Sequence, residues 1–387
     1  MMLDEQVEPL RHLELIDDLQ RLGVFYHFHH KIQSILNTTY KENYFSSNVS
    51  NEKDLYATAL GFRLLRQHGF DVSQEVFNSF KDERGDFKPG LGKDTKGMLH
   101  LYEASYLETQ NERTLELGRE FAAEHLKKNL DGNKIHQELA VLVRHALELP
   151  LHWGMLRVEA RWFIDIYEKR QDLNPTLLEF AKLDFNIVQP KYEDDLRYAS
   201  RWWESTCLAE KLTFARDRLV ENFFWTIGEI FYPQRGYGRR ISTKGNALVT
   251  IIDNIYDVYG TQDELELFTD IVERWDIAAI DQLPDCMRIF YFALYNFINE
   301  LAYDAMKEQV IPFLRKTEEM KRGDVPKSAQ CYMNEIGASE EEAREFIRSL
   351  IIEAWKQANK ERVVKGCPFC ESFIGFAMNL GGMAQCM

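Results

Sequence analysis

Apolar residues recur at three- and four-residue spacing along nearly the whole chain, a period typical of amphipathic helices. In the first part of the chain the pattern predicts helices over residues 8–22, 53–68, 73–80, 97–107, 113–128, 135–146 and 156–170. It continues over residues 175–189, 194–206, 214–230, 242–259, 263–274, 287–309, 325–336 and 340–361. No stretch alternates convincingly as a half-buried strand does, so the sequence predicts an all-α fold.

A change in composition near residue 170 predicts a domain boundary. Residues 168–172 are all charged or polar, and they are followed by Asn174 and Pro175. Asparagine is a favoured N-cap, and proline is favoured at the first helical position. Because 387 residues suffice for two domains with a large core, we place the domains at 1–173 and 174–387.

The net charge of −15 argues against binding to nucleic acid or to an anionic membrane surface. No apolar run approaches the length of a membrane span, and the first residues resemble neither a signal peptide nor a transit peptide. Six cysteines in so long a chain favour a reducing compartment. The aromatic content of 13% is high and could line a large apolar cavity.

The predicted helix over 242–259 carries the first candidate site. At about 100° per residue, Asn246, Thr250, Asp253 and Asp257 fall on one face, and apolar residues occupy most other positions. We therefore expect this helix to be buried, and buried carboxylates need a partner. The partner is either a hard cation such as Mg²⁺, which prefers oxygen ligands, or arginines of a neighbouring helix.

The histidines and cysteines do not form a convincing catalytic or metal-binding site. All ten histidines lie between His12 and His152, which excludes a histidine-dependent nucleophile or a histidine-ligated zinc near the aspartates. The histidines in the segment 27–30 lack the spacing of metal ligands, so we interpret this segment as solvated surface. Cys367 and Cys370 form a lone C-x-x-C pair, which is weak support for zinc or redox chemistry.

Two arginines form the second candidate site. Arg216 and Arg218 precede an apolar stretch that contains Trp225. Guanidinium groups are suited to gripping phosphate oxygens, but the same arginines could instead pair with Asp253 and Asp257. The residues alone leave both readings open.

The order and spacing of these motifs resemble plant class I terpene synthases, specifically the monoterpene branch. The motifs that carry the resemblance are RDR at 216–218, ENFFW at 221–225, YGRR at 237–240 and DNIYDVYGT at 253–261. Further ordered matches are KDLYATA at 53–59, LPLHW at 149–153, EARW at 159–162, LDFN at 183–186, SRWW at 200–203 and RGDVPK at 322–327. The likeness thus covers almost the whole chain.

The resemblance implies an N-terminal α-barrel without chemistry of its own and a C-terminal catalytic α-bundle. Carried over by position, Asp253, Asp257 and Glu319 would bind Mg²⁺ or Mn²⁺, with three ions when substrate is bound. Arg216, Arg218 and Lys327 would bind the diphosphate, which the metal ions would bridge to the aspartates. Trp225 would present its ring face to carbocations.

The implied reaction is ionisation and cyclisation of geranyl diphosphate to a monoterpene. The enzyme would be a monomer or a homodimer in the plastid stroma after removal of a transit peptide, with the cytosol as the alternative. Farnesyl diphosphate with a sesquiterpene product is the alternative within the family. A helical scaffold without activity is the alternative from another class.

The chain departs from the family pattern in three places. Asn254 replaces an aspartate that mostly supports the metal ligands, which predicts weakened rather than lost metal binding. In the second metal motif only Glu319 matches, because Arg315 and Ile311 replace the other two ligands. The third departure is at the ends, where the sequence includes neither the family's tandem-arginine motif nor the C-terminal loop that closes the active site. We therefore expect segments to be missing from the sequence at about 316/317 and at both ends; a real deletion of core helices would favour the inactive scaffold.

The expectation about the reaction product is based on Asn246. It lies two helical turns before Asp253 on the same face, where a hydrocarbon cation would lie. A trapped water is one partner for its amide, and that water could attack the cation to give a cineole or a terpineol. Alternatively, the amide bonds to a neighbouring helix backbone or to Thr250 and only shapes the pocket.

Overall fold

The computed structural model describes residues 8–42, 54–132, 135–308, 339–363 and 371–386. Within these ranges the chain is helical, and the only β pairing is one isolated antiparallel bridge between Lys81 and Phe87. The predicted all-α fold is confirmed. None of the described helices combines the length and the apolarity that a membrane crossing requires.

The described chain divides into two compact units, Met1–Asn186 with Arg344–Met387, and Ile187–Ala343. The helices of the N-terminal part are α1 (Pro9–Arg21), α2 (His29–Lys41), α3 (Leu55–Gln67), α4 (Thr95–Ser105), α5 (Arg113–Asp131), α6 (Gln137–Glu148) and α7 (Leu156–Tyr167). Then follow α8 (Pro175–Thr206), α9 (Leu208–Lys211), α10 (Leu219–Glu229), α11 (Gly236–Asn254), α12 (Gln262–Arg274) and α13 (Asp285–Glu308). The last described helices are α14 (Glu340–Val363) and α15 (Glu371–Cys386).

The first unit is built around α3 and α4, whose residues are buried on almost every side. Its core also holds charge: Arg63 Nη2 lies 2.5 Å from Asp17 Oδ1, and Arg21 Nη2 lies 2.6 Å from Glu103 Oε2. Arg63 is 1% exposed and Glu103 is 2% exposed. Each buried charge thus has an opposite charge beside it, which buried ions require.

Helix α14 packs in the first unit, although the sequence assigned all residues after 174 to the second domain. Asn359 Nδ2 donates to the carbonyl oxygens of Tyr106 and Glu108 at 3.0 and 3.1 Å. Trp355 stacks on Trp153 with ring centroids 6.0 Å apart. The boundaries of the functional domains stay a prediction, but the compact units do not follow them.

Helix α8 runs without a break, whereas the sequence predicted two helices ending and restarting around Pro190. Proline removes one backbone donor and crowds the preceding turn, yet the helix continues through it. Side chains on both sides of Pro190, such as Val188 and Tyr192, are buried. The burial of these side chains therefore stabilises the helix more than the missing hydrogen bond and the crowding at Pro190 destabilise it.

The second unit is centred on α11. Its buried residues Leu248 and Ile251 belong to one apolar cluster that also contains Phe268 of α12 and Phe290 of α13. Lys244, only 1% exposed, reaches from α11 to Glu300 of α13 with Nζ 2.9 Å from both carboxylate oxygens. Apolar contacts and this ion pair together hold α11 against α13.

Candidate active site

The turn between α10 and α11 is held by a fully buried arginine. Arg239 donates to the carbonyl oxygens of Ile230, Tyr232 and Pro233 at 3.2, 2.5 and 3.3 Å. The last carbonyl groups of a helix lack partners within that helix, and here one side chain satisfies several carbonyls of the turn. Asp195 of α8 balances the charge, with its Oδ2 2.7 Å from Arg239 Nη2.

Helices α10 and α11 then run antiparallel and are joined by three polar contacts. As the residue number rises along α10, the number of its partner on α11 falls. The donor and acceptor atoms lie 3.1 to 3.3 Å apart. We call these contacts the polar ladder; its rungs join Asn222 to Thr250, Thr226 to Asn246, and Glu229 to Ser242.

The polar ladder brings the two predicted sites to one end of the helix pair. Arg216 and Arg218 lie in the segment that leads into the first turn of α10. Asp253 lies in the last turn of α11, and Asp257 follows in the next turn. Because the helices are antiparallel, the start of α10 lies beside the end of α11. Both arginines and both aspartates are therefore at the same end.

The aspartates are exposed, contrary to the expectation of a buried helix. The stripe opposite the core is open to solvent: Val249 is 49% exposed and Val258 is 72% exposed. The sequence was misleading because these valines look like core positions. The two carboxylates are therefore open to solvent, so burial does not require them to have a partner.

The helix changes its period between the aspartates. Residues Ile255–Tyr259 form a π-helical turn, and the Gly260 N–H donates to the Ile255 carbonyl oxygen at 2.8 Å. Such turns occur frequently at functional sites, where they redirect side chains. A Cβ atom at Gly260 would lie 2.5 Å from Leu265 Cδ2, so any larger residue here would have to displace the Leu265 side chain. Asp257 thus occupies a position that a regular helix would not give it.

Asn254, the departure from the family motif, points back along α11. Its Nδ2 donates to the Thr250 carbonyl oxygen at 2.5 Å. An aspartate carboxylate could not donate this bond. The substitution therefore stabilises the last turn of the helix locally.

Asn246 bonds to the neighbouring helix. Its Nδ2 donates to Thr226 Oγ1 at 3.3 Å, and its own carbonyl oxygen accepts from Thr250 Oγ1 at 2.9 Å. A contact with a neighbouring helix was one of the two alternatives, although the partner is a side chain rather than backbone. Its role toward a water molecule stays a prediction.

Sequence reasoning missed Glu229, the last residue of α10. It is 4% exposed, and Ser242 Oγ donates to its Oε2 at 3.1 Å. Burial raises the pKa of this carboxyl, despite the hydrogen bond from Ser242. A glutamate within the apolar stretch FFWTIGEIF was the available signal.

The donor set at this end fits a hard cation. Two exposed carboxylates lie at the C-terminal end of α11, where the helix dipole also favours positive charge. Within the described ranges no group of three potential ligands gathers. Glu319, Lys327, Cys367 and Cys370 lie outside the described residues, so the structure does not place them.

Comparison with family profiles identifies the family to which the chain belongs. A profile described as the terpene synthase N-terminal domain matches residues 1–147, and the metal-binding domain of the terpene synthase family matches 204–317 and 313–357. The chain belongs to the terpene synthase family. Its arginine and aspartate motifs both lie within the match to the metal-binding domain.

Individual terpene synthases agree along the whole chain. A chloroplastic linalool synthase of Coffea arabica is 51% identical over all of this chain and 80% of its own length. A (−)-α-terpineol synthase of Vitis vinifera is 51% identical over all of this chain and 80% of its own length. The crystal structure of isoprene synthase from grey poplar (Populus x canescens), in complex with three Mg²⁺ ions and dimethylallyl-S-thiolodiphosphate, matches with a TM-score of 0.92 at 40% identity. That match covers all of this chain and 89% of the poplar chain.

Two features of these alignments bear on the segment predicted to be missing at about 316/317. The metal-binding profile matches in two pieces that meet at 313–317. The alignment with the coffee protein spans 476 positions, although this chain has 387 residues, so part of that protein has no counterpart here. The missing segment remains a prediction, because the join lies outside the described residues.

Proposed function

We propose that this terpene synthase catalyses the metal-dependent ionisation of geranyl diphosphate and its cyclisation to a monoterpene, acting as a carbon–oxygen lyase. The observation that carries the proposal is the placement of Arg216, Arg218, Asp253 and Asp257 at one end of the antiparallel pair α10 and α11. An acidic protein can hold an anionic substrate there, because the cation and the arginines together offset its charge.

In the first step the allylic C–O bond breaks and its electron pair leaves with the diphosphate. Arg216 and Arg218 bind and retain that anion through bidentate hydrogen bonds. Mg²⁺ or Mn²⁺, held by Asp253 and Asp257, supplies Lewis-acid stabilisation of the leaving group when bound. Trp225 presents a π face to the allylic cation that remains.

The product follows from how the cation is quenched. A cyclic alcohol or ether of the terpineol or cineole type requires one water molecule, and Asn246 is the residue proposed to orient it. The grape relative is a terpineol synthase, which supports this product class. Loss of a proton instead gives an olefin such as limonene or sabinene.

An open-chain alcohol is a second candidate. The coffee relative is a linalool synthase, and it matches this chain as well as the grape protein does. Linalool requires the same ionisation and the same water, but attack occurs before ring closure. The site proposed here serves both outcomes.

The deciding experiment incubates the full-length protein separately with geranyl and farnesyl diphosphate, each with Mg²⁺ or with Mn²⁺, and analyses the volatile products. We expect C10 products from geranyl diphosphate. C15 products alone would establish the sesquiterpene alternative. If neither substrate gives a product, the proposed enzymatic activity is contradicted and the inactive scaffold is favoured.

Two further measurements test the subcellular location and the oligomeric state of the protein. Several relatives are chloroplastic, including the coffee linalool synthase, which supports a plastid enzyme. Fractionation of source tissue tests this, and cytosolic protein would favour the farnesyl substrate. Light scattering distinguishes a monomer from a homodimer.

A further inference from the structure

The rung that joins Asn222 to Thr250 is the rung of the polar ladder nearest to the arginines and the aspartates. Asn222 lies one helical turn after Arg218, and Thr250 lies about one turn before Asp253. Asn222 Nδ2 donates to Thr250 Oγ1 at 3.2 Å, and Asn222 Oδ1 lies 3.3 Å from the same hydroxyl. The side-chain amide of α10 thus faces the hydroxyl of α11.

On α10, this rung is tied to the segment that carries the arginines. The Asn222 N–H donates to the Arg218 carbonyl oxygen at 2.9 Å. Asp217 lies between the two arginines, and its Oδ1 accepts the Leu219 N–H at 3.2 Å. The first N–H groups of a helix have no partner within the helix, so this bond holds the incoming segment against α10. Any movement of Asn222 therefore moves the backbone that carries Arg216 and Arg218.

On α11, Thr250 is held by residues of its own helix. Its Oγ1 lies 2.9 Å from the Asn246 carbonyl oxygen, and its own carbonyl oxygen accepts from Asn254 Nδ2 at 2.5 Å. A hydroxyl has one hydrogen, so in the shortest arrangement it donates to Asn246 and accepts from Asn222. The acceptor that α10 uses is therefore fixed on α11 in the turn that leads to Asp253.

The four charged residues themselves are exposed, so core packing around their side chains contributes little to their separation. A ligand that contacts both pairs at once needs that separation to be constant, because small displacements weaken several contacts together. The Asn222 rung is about one turn from each pair, whereas the rung between Glu229 and Ser242 is about three turns away. The near rung is thus placed to control the separation.

We infer that Asn222 and Thr250 are positioning residues that set the spacing between the arginine pair and the aspartate pair, so that one metal–diphosphate ligand can contact both. This inference rests on the proposed function, since it takes the two pairs as the holders of diphosphate and metal. It makes a specific distinction. The rung matters for a ligand that spans both pairs and not for a metal ion alone, which only the aspartates would hold.

Two binding measurements on the full chain test that distinction. Binding of Mn²⁺ alone is followed by the electron paramagnetic resonance signal of the free ion, and binding of inorganic diphosphate in excess Mn²⁺ by titration calorimetry. Thr250→Val keeps nearly the same shape without the hydroxyl, whereas Asn222→Ala removes the amide and leaves the bond from Thr250 to Asn246 in place. We expect each variant to weaken diphosphate binding about fivefold or more, with Mn²⁺ affinity within about twofold.

A double-mutant cycle shows whether the two residues act through their contact. Because the contact can be lost only once, the variant that combines Asn222→Ala with Thr250→Val should bind diphosphate no more weakly than the weaker single variant. Additive losses would mean that each residue acts separately, which contradicts a shared rung. If Thr250→Val fails to fold, as judged by circular dichroism, Asn222→Ala still tests the rung from the other helix.

Two matched variants serve as controls. Thr250→Ser keeps the hydroxyl and should bind diphosphate as the parent does. Ser242→Ala breaks the rung farthest from the charged end and should also leave diphosphate binding within about twofold of the parent. Weakened binding in Ser242→Ala equal to that in Asn222→Ala would assign the effect to the ladder as a whole and overturn the specific role of the near rung.

The outcomes separate this inference from the proposed function. Unchanged diphosphate binding in both Asn222→Ala and Thr250→Val would overturn the inference even if the parent makes a terpene. An equal loss of Mn²⁺ affinity would overturn it too, because the damage would then lie at the aspartates alone. A parent that binds Mn²⁺ and diphosphate but forms no product contradicts only the proposed function, whereas a parent that binds no diphosphate contradicts both.

Discussion

Arg239 Nη2 lies 2.7 Å from Asp195 Oδ2 in an ion pair whose side chains are 0% and 3% exposed. The same arginine donates to three carbonyl groups of the turn between α10 and α11. The motif YGRR, which carried part of the resemblance, thus has a structural role that positions both helices of the site.

We expect Arg239→Ala to lower the free energy of unfolding by about 3 to 5 kcal/mol, because it removes the fully buried partner of Asp195 and leaves three carbonyl groups of the turn without their donor. Arg240→Ala is the matched control, since Arg240 bonds to the same carboxylate but is 38% exposed. An exposed ion pair is worth about 1 kcal/mol or less. Denaturant unfolding measures both, and equal losses would contradict the role assigned to Arg239.

Replacing Asp253 or Asp257 with alanine should reduce turnover by roughly a hundredfold or more, since each change would remove a proposed ligand of the metal that stabilises the leaving group. Chelation of the metal by EDTA should abolish turnover in the parent, with recovery on adding Mg²⁺. Asp281→Ala, a carboxylate that is 90% exposed and remote in sequence, is the control. Parent-level turnover in Asp253→Ala would refute the metal assignment.

Asn254→Asp tests the departure from the family motif. Turnover should be kept or mildly raised, because an added carboxylate near the metal end favours the cation. The free energy of unfolding should fall by about 1 kcal/mol, since the bond to the Thr250 carbonyl is lost. Asn254→Ala loses the same bond without adding charge. If both variants lose turnover equally, the helix contact and not the metal explains the asparagine.

Asp18 should make the first unit less stable as the pH rises from about 4 to about 6. Burial, despite Arg170 nearby, raises the pKa of this carboxyl from 3.8 to about 6. The folded state then holds a proton that the unfolded state has released, so stability falls across this window by up to about 3 kcal/mol.

Unfolding of Asp18→Asn, measured between pH 4 and 7, should lack that decline. Asp172→Asn is the control, because Asp172 bonds to the same arginine but is 74% exposed, and Arg170 lowers its pKa. A parent-like decline in Asp18→Asn would assign the pH dependence to other groups.

The sequence could predict what depends on local periodicity. The all-α fold, the shared stripe of Asn246, Thr250 and Asp253, and the arginines before α10 all follow from spacing along one helix. Which helix faces that stripe does not follow. The partners Asn222 and Thr226 belong to α10. The register of α10 against α11 depends on the turn between them, whose carbonyl groups Arg239 bonds.

Features that depend on packing could not be predicted. The π-helical turn at Ile255–Tyr259 has an ordinary helical sequence pattern, and nothing local marks the change of period. Val249 and Val258 look like core residues but are exposed, because burial depends on what packs against the helix. Glu229 was visible as a lone charge among apolar residues, but its partner Ser242 required the structure.

We propose that the product depends on Asn246, and variants along the polar ladder can separate this role from an effect on packing. Asn246→Ile removes the amide that could hold a water, so products should shift toward olefins such as limonene or sabinene while total turnover survives. The same change also breaks the rung to Thr226, which is bonded at 3.3 Å. Product analysis alone would therefore confuse the two effects.

Thr226→Val resolves them, because valine has nearly the shape of threonine and breaks the rung while leaving the Asn246 amide in place. If the amide orients water, Thr226→Val keeps the oxygenated fraction and Asn246→Ile loses it, as measured by gas chromatography of the products. An equal loss in both variants would assign the effect to the rung. An unchanged alcohol or ether fraction in Asn246→Ile would exclude the amide from the water step, and the attacking water would then have to be held by other groups.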